Sequence, residues 1–325
     1  MDIYIDKANL ISFIKSKSHT LFDDCNKLLK KQLNVYFNFP KSDLKESPLL
    51  LNWITTLSQG MGEINVIKFD YKEPVRPLKS NSSNDFCSNK LTSVYLLEDD
   101  ETEKFKNSGC VLVGKVGEEI QILNKLFINQ NDYDFERKWR INGDNFKTWS
   151  DLKEYSLPLT DILIIDPFIL SNKDTDTDTI DLNLINYLDV LCLESFTKAN
   201  IIIVTDPNRS SYTFDEIKKK ITCKLSTQLG KRPSFTLIFT KREHDRGILT
   251  NYERIYSGDT FSFWNNRGQK ITKGREISYS SLAKKENHDL AIKLVEDIQQ
   301  TITFLNKNNP DYIQGDKISN FLNFN

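Results

Sequence analysis

A chain of 325 residues with 38% hydrophobic and 27% charged residues has room for two ordinary domains, each burying a core without staples. A formal net charge of −1 excludes a global field drawing it to nucleic acid or membrane, so any anion site must be local. The five cysteines are scattered, odd in number and without a C-x-x-C pair, which argues against zinc and for reduced thiols in a cytoplasmic protein.

The opening MDIYIDKANL carries Asp2 and Asp6 where a signal peptide has basic residues, and no apolar run reaches the length of a membrane span. A protein with no leader and no membrane partner is expected. IYID reads as a strand, the stretch through HTLFDDCNKLLKKQ as helical, and LNVYFNF as a second strand. Residues 72–89 have the Pro, Ser and Asn content of a long loop. SVYLLEDD is a strand ending in acids, followed by a short helix and the strand GCVLVGK. EEIQILNKLFI places Ile120, Leu123 and Phe127 on one helical face.

A domain boundary is expected within 145–158, where GDNFKTWSDLKEYSLP is polar and ends in Pro, giving domains 1–150 and 151–325. DILIIDPFIL (161–170) is a continuous apolar run of the kind buried on both faces. The helix LINYLDVLCLESF follows, then a second buried strand, NIIIVTDP, and a helix closed by Gly230. The segment from SFTLIFTK to NYERIYSG reads as a long strand pair or one bent strand. FSFWNNRGQKIT predicts a hairpin turning at Asn265–Gly268. The last helix, about 284–307, aligns Leu290, Leu294, Ile298, Ile302 and Leu305. The alternation predicts two α/β domains, the second an α/β/α half-domain with an added hairpin and a closing helix.

Chemistry concentrates at EHDRGILTNY (243–252). On a strand, His244 and Arg246 share a face and Asp245 points the other way. Arginine gives a planar cationic fork for phosphate, and histidine can be nucleophile, acid or donor. Asn251 follows five residues after Arg246 and Gly258 seven residues later. The arrangement resembles the phospholipase D-like superfamily, whose pattern is His-x-Lys-x4-Asp followed by Gly-Ser-x-Asn. His244 and Gly258 fall on the pattern; Arg246 stands for Lys, Asn251 for Asp, and Asp259 and Phe261 for Ser and Asn. The resemblance covers about 150–305. It implies metal-independent, cofactor-free phosphodiester chemistry, most naturally a nuclease reaction, with a phosphohistidine on His244. Arg246 would clamp the phosphate, helped by Lys241, Arg242, Gly258 and Thr260, and Asn251 would orient the histidine. Neither His19 nor His288 sits in a second copy of the pattern, so catalysis implies a homodimer pairing two His244 residues. Family habit points to a bacterial defence or toxin-like setting, including antiviral defence.

The rival expectation is a catalytically inactive module that holds phosphate or nucleic acid with the same residues, or a scaffold for a protein partner. Asn251 cannot support an imidazolium as a carboxylate does, which favours this rival. Asp6, Asp99 and Asp100, acids at strand ends, could instead hold Mg²⁺, and residues 1–115 weakly resemble PIN- or NYN-like nuclease domains. Such acids are more commonly caps and turn residues. KDTDTDTIDL (173–182) fails as a calcium loop, with Thr179 at the glycine position, and reads as an exposed loop able to gate the site. Lys218, Lys219 and Lys220 read as a solvated helix face. Tyr252, Tyr256 and Phe261 could stack on bases. Trp53, Trp139, Trp149 and Trp264 read as core anchors.

Overall fold

The computed structural model describes residues 1–37, 39–40, 42–58, 93–98, 102–103, 105–106, 111–128, 134–141, 146–171, 180–192, 198–209, 212–229, 232–242, 246–265, 267–269 and 276–325. The expected loop at 72–89, the acid–Thr run as far as Thr179, Gly230 and the far arm of the 261–272 hairpin lie outside them. The chain is mixed α/β and forms two compact units. One is Met1–Phe135 with Ser281–His288, the other Glu136–Ser280 with Asp289–Asn325. The division thus falls between Phe135 and Glu136, ahead of the expected 150/151. The reason is that Glu136–Arg140 is a strand of the second unit, paired with Glu276–Ser281. Among the described residues no helix is long and apolar enough to cross a membrane.

The first unit has a four-stranded parallel sheet of β1 (Asp2–Ile5), β2 (Asn34–Phe37), β3 (Ser93–Leu96) and β4 (Leu112–Gly114), in the order β2-β1-β3-β4. Register aligns Ile3 with Val35 and Val94, and Tyr4 with Tyr36 and Tyr95. The three tyrosine rings stack across the strands, with centroids 5.0 and 5.3 Å apart. The helix Phe22–Lys31 buries Cys25, Leu28 and Leu29. Its Asp23 and Asp24 stand in the first turn and Lys30 and Lys31 in the last, the arrangement that complements the helix dipole.

The second unit has an eight-stranded mixed sheet, built from β5 (Glu136–Arg140), β6 (Asp161–Ile165), β7 (Asn200–Thr205), β8 (Ser234–Phe239), β9 (Gly247–Leu249), β10 (Glu253–Ser257), β11 (Glu276–Ser281) and β12 (Ile313–Gly315). Their order is β12-β8-β7-β6-β9-β10-β11-β5. The continuous apolar runs of β6 and β7 are buried on both faces, and β6, β7 and β8 are parallel. After β8 the chain returns to the other side of β6 and enters as β9, antiparallel to it. The segment read as one strand pair is therefore three strands, and β8 and β9 are not neighbours.

The turn at Asn265–Gly268 forms, with the Gly268 N–H donating to the Asn265 carbonyl (2.9 Å) and Gly268 at φ 70°. The closing helix runs Lys285–Asn308, and from Asp289 onward it belongs to the second unit. Its buried stripe is Ala291, Val295, Ile298, Ile302 and Leu305, whereas Leu290 is 49% exposed. The stripe is thus rotated by one residue at its start from the expected one, with Ala291 and Val295 buried in place of Leu290 and Leu294.

Candidate functional site

In an open α/β sheet, ligands gather outside the carboxyl ends of the strands where the chain order reverses. In the second unit that point lies between β6 and β9. Both β6 and its neighbour β7 are followed by an Asp-Pro step, Asp166-Pro167 and Asp206-Pro207. Proline cannot donate to a ladder, so each strand ends there. Each aspartate then turns the chain by accepting an amide two residues on: Asp166 Oδ1 from Phe168 N–H (2.8 Å) and Asp206 Oδ1 from Asn208 N–H (2.9 Å).

Asp166 is fully buried. Its Oδ2 accepts from the Thr260 hydroxyl (2.7 Å) and the Phe261 N–H (2.8 Å). Burial pushes its pKa up, against these donors and the positive charge of Arg246. The carboxyl therefore joins the turn after β6 to the turn after β10. Arg246 stands one residue before β9, and its carbonyl accepts the Ser257 N–H (3.1 Å). Its guanidinium lies 5.4 Å from the centre of the Phe168 ring, and the exposed Arg209 guanidinium lies 5.1 Å from the same ring. Arg246 Nε is buried and has no hydrogen-bond partner among the described residues. Arg209 is loosely paired with Asp206 at 3.9 Å.

The residues expected to act together are only partly gathered here. His244, with Glu243 and Asp245, lies outside the described residues, and Arg246 is not on a strand. Thr260 is at this edge, but its hydroxyl donates to Asp166, so it is a brace and not a phosphate donor. Among the described residues no atom lies within 4 Å of where a Cβ on Gly258 would sit, so their packing does not demand glycine. Lys241 and Arg242 are exposed. The Arg242 guanidinium sits 3.7 Å from the centre of the Phe304 ring. Tyr252 and Phe261 are core residues, 2% and 1% exposed, and only Tyr256 is open to solvent.

Asn251 is at the opposite end of β6. Its buried Oδ1 accepts the amides of Thr160 (2.8 Å) and Asp161 (3.3 Å), and its Nδ2 donates to the Thr160 hydroxyl (3.1 Å). Asp166 is six residue steps along extended chain from Thr160, about 20 Å at ~3.3 Å per step. The expected role of Asn251 as an orienting group beside Arg246 is therefore corrected: it pins the β9–β10 turn to the start of β6.

No protein-family model matches the sequence, and no curated protein matches it. Among solved structures, TrmBL2, an archaeal chromatin protein described as showing a novel mode of DNA binding, matches at 12% identity with a TM-score of 0.23. The match covers 56% of this chain and 55% of that one, so the chain spans about half the length of the structure it matches. A superposition that loose does not define a shared fold.

In the first unit, Asp6 follows β1, where the order reverses between β1 and β3. It is buried, and its Oδ2 accepts the Glu98 N–H (2.8 Å). Its side chain ties the end of β3 and does not cap the next helix. Asp99 and Asp100 lie outside the described residues. A buried acid not foreseen, Glu119, accepts from Asn9 Nδ2 (3.1 Å), the Ser12 hydroxyl (3.0 Å) and Gly117 N–H (2.9 Å). Among the described residues no group of three or more His, Cys, Asp or Glu side chains could hold a metal ion. Sequence reading also missed Asp166, Phe168 and Arg209. The signal was the repeated Asp-Pro at the ends of the two most apolar strands.

Proposed function

We propose that the second unit binds a phosphate-bearing ligand, with single-stranded nucleic acid as the favoured class, at the edge formed by Arg246, Phe168 and Arg209. The observation that carries this is the placement of two guanidiniums, those of Arg246 and Arg209, against one aromatic ring, with the buried Nε of Arg246 unpartnered among the described residues. A guanidinium pairs with phosphate oxygens through charge-assisted, often bidentate hydrogen bonds, which its Nη groups supply where Nε is enclosed. The three hydrogen bonds that Asp166 accepts come from the Phe168 N–H, the Thr260 hydroxyl and the Phe261 N–H, and not from the Arg246 guanidinium. Phe168 offers a ring for base stacking between two phosphate contacts, which suits a strand whose bases are unpaired. Binding is favoured over phosphohistidine hydrolysis because Asn251, expected to orient the nucleophile, spends its side-chain amide on Thr160 and Asp161 at the start of β6.

The test is fluorescence anisotropy with labelled single-stranded DNA and RNA. Arg246→Ala should weaken binding by about tenfold or more and Arg209→Ala by less, with both effects shrinking in salt. Arg246→Lys should recover part of the affinity, and His244→Ala none of the loss. Undiminished binding by Arg246→Ala would remove the proposal. Cleavage in EDTA that disappears in His244→Ala would replace it with the catalytic reading.

A further inference from the structure

The carboxyl edge that carries Arg246, Phe168 and Arg209 continues past β7 to β8. Register sets Ile165 against Val204, and Thr205 against Phe239, so β6, β7 and β8 finish side by side. β12 runs antiparallel to β8 with Ile313 against Ile238, which brings Tyr312 to Phe239 at this end. The two rings meet edge-on at 6.4 Å. The last turns of the closing helix reach the same place, since the Arg242 guanidinium lies over its Phe304. β8 is two strand spacings from β6, about 10 Å at ~4.8 Å each.

The side chains gathered here are open to solvent. Phe304 is 38% and Tyr312 42% exposed. Lys241 and Arg242, two and three residues after Phe239, are exposed as well. Lys307, in the last turn of the helix, follows Phe304 by three residues and shares its face. Among the described residues no carboxylate pairs with Lys241, Arg242 or Lys307. The nearby acids are Asp311, in the turn before β12, and Asp206, which is taken up by Arg209. Stacking on Phe304 uses the flat face of the Arg242 guanidinium and leaves its N–H edge to meet an acceptor. The same pairing of arginine with an aromatic ring occurs at Phe168. Aromatic rings set among unpaired cations fit an anion that carries flat apolar faces at intervals. An acidic peptide lacks the faces, and a lipid headgroup lacks the repetition.

We propose that this patch is a second contact for the strand held at Arg246, so that bound single-stranded nucleic acid runs along the carboxyl edge from β6 to β8. The proposal rests on the reading of Arg246 as a phosphate contact, and adds to it the path of the strand. A base stacks on Phe304 or Tyr312, while Lys241, Arg242 and Lys307 meet phosphates.

The experiment is anisotropy on the full chain with labelled single-stranded DNA of about three and about twelve nucleotides, the longer within the ~4–16 nucleotide range of single-strand sites. Wild type should bind the longer strand about a hundredfold more tightly, the low end of the gain from two linked contacts. Extra registers on a longer strand raise affinity equally in every variant, so the variants decide. Phe304→Ala and Arg242→Gln should each cut the gain about fivefold or more. Arg242→Gln should also lower the salt slope by about 0.7, the value of one phosphate contact, whereas Phe304→Ala should keep the slope. Lys241→Gln, at an exposed position, should behave as Arg242→Gln does and keeps the test valid if Phe304→Ala disturbs the helix. Arg246→Ala should weaken both lengths. The proposal is overturned if the longer strand gains nothing, or if the folded Phe304→Ala and Arg242→Gln proteins keep the full gain. In those cases weaker binding by Arg246→Ala leaves the first contact standing. Arg246→Ala binding both lengths as wild type does would instead remove the reading on which the proposal rests.

Discussion

Glu253 sits in β10 with Oε1 buried and without a hydrogen-bond partner among the described residues, near the paired hydroxyls of Tyr187 and Tyr279 (2.7 Å). Burial pushes its pKa well above the ordinary carboxylate range. The folded chain therefore keeps this proton where the unfolded chain, titrating near pH ~4.3, has lost it. With more protons bound when folded, its contribution to stability is full below that pH and is lost as pH rises toward the folded pKa. The slope is about 1.4 kcal/mol per pH unit. Thermal unfolding of Glu253→Gln across acid to neutral pH should show a flatter profile than wild type and a higher Tm at the neutral end. A variant that loses stability equally at every pH would contradict this. Asn251 makes a separate prediction. Asn251→Ala strips the amides of Thr160 and Asp161 of their acceptor, so it should cost about 1–3 kcal/mol in denaturant unfolding. It should leave strand binding intact once the protein is folded. Had the residue worked beside Arg246, function would fall before stability.

At the level of elements, burial was easier to read than pairing. The runs ILII and NIIIV are apolar at successive positions, which only a strand covered on both faces tolerates, and both are such strands. The stretch from Ser234 to Ser257 misleads because strand propensity says nothing about partners. Its β8 portion pairs with β7, and its β9 portion crosses to the far side of β6. The tyrosine stack of the first sheet was legible in principle, since DIYI, NVYF and SVYL share one order of polar, aliphatic, tyrosine and apolar residues. Edge strand β12 depends on a feature that sequence alone does not show. Gly315 has φ 110°, and an added Cβ would run into the Phe235 carbonyl oxygen. The next residue, Asp316, holds the same Phe235 from both sides: its N–H donates to that carbonyl and its Oδ2 accepts the Phe235 N–H, each at 2.9 Å. Gly315→Ala should release β12 from β8, seen as faster hydrogen exchange at Phe235 and Leu237 with the remaining sheet still protected. Unchanged exchange there would mean the edge adapts.

For the whole molecule, the spacing of the motif was a poor guide to which residues share an end of the sheet. Motif spacing measures distance along the chain, and a short hairpin undoes it. β9 carries Asn251 to one end of the sheet, and β10 brings Thr260 back to the other. Asp166 was passed over because a strand-terminal Asp-Pro reads as a turn, which it is. Its second role needs Thr260 and Phe261, and those contacts exist only in three dimensions. The near-zero net charge was informative at this scale, because it confines the argument about anions to one edge.

The hydrogen bond from Thr260 to Asp166 closes a loop of 94 residues. Neighbouring parallel strands can assemble through local crossovers, whereas this closure waits for the chain to travel out to β8 and back. A nascent or partly refolded chain with β6, β7 and β8 in place would have its hydrophobic layer but not the edge that joins Asp166 to Thr260. On the proposed function, ligand recognition would be a late property of folding, acquired when the last returning segment has found its strand.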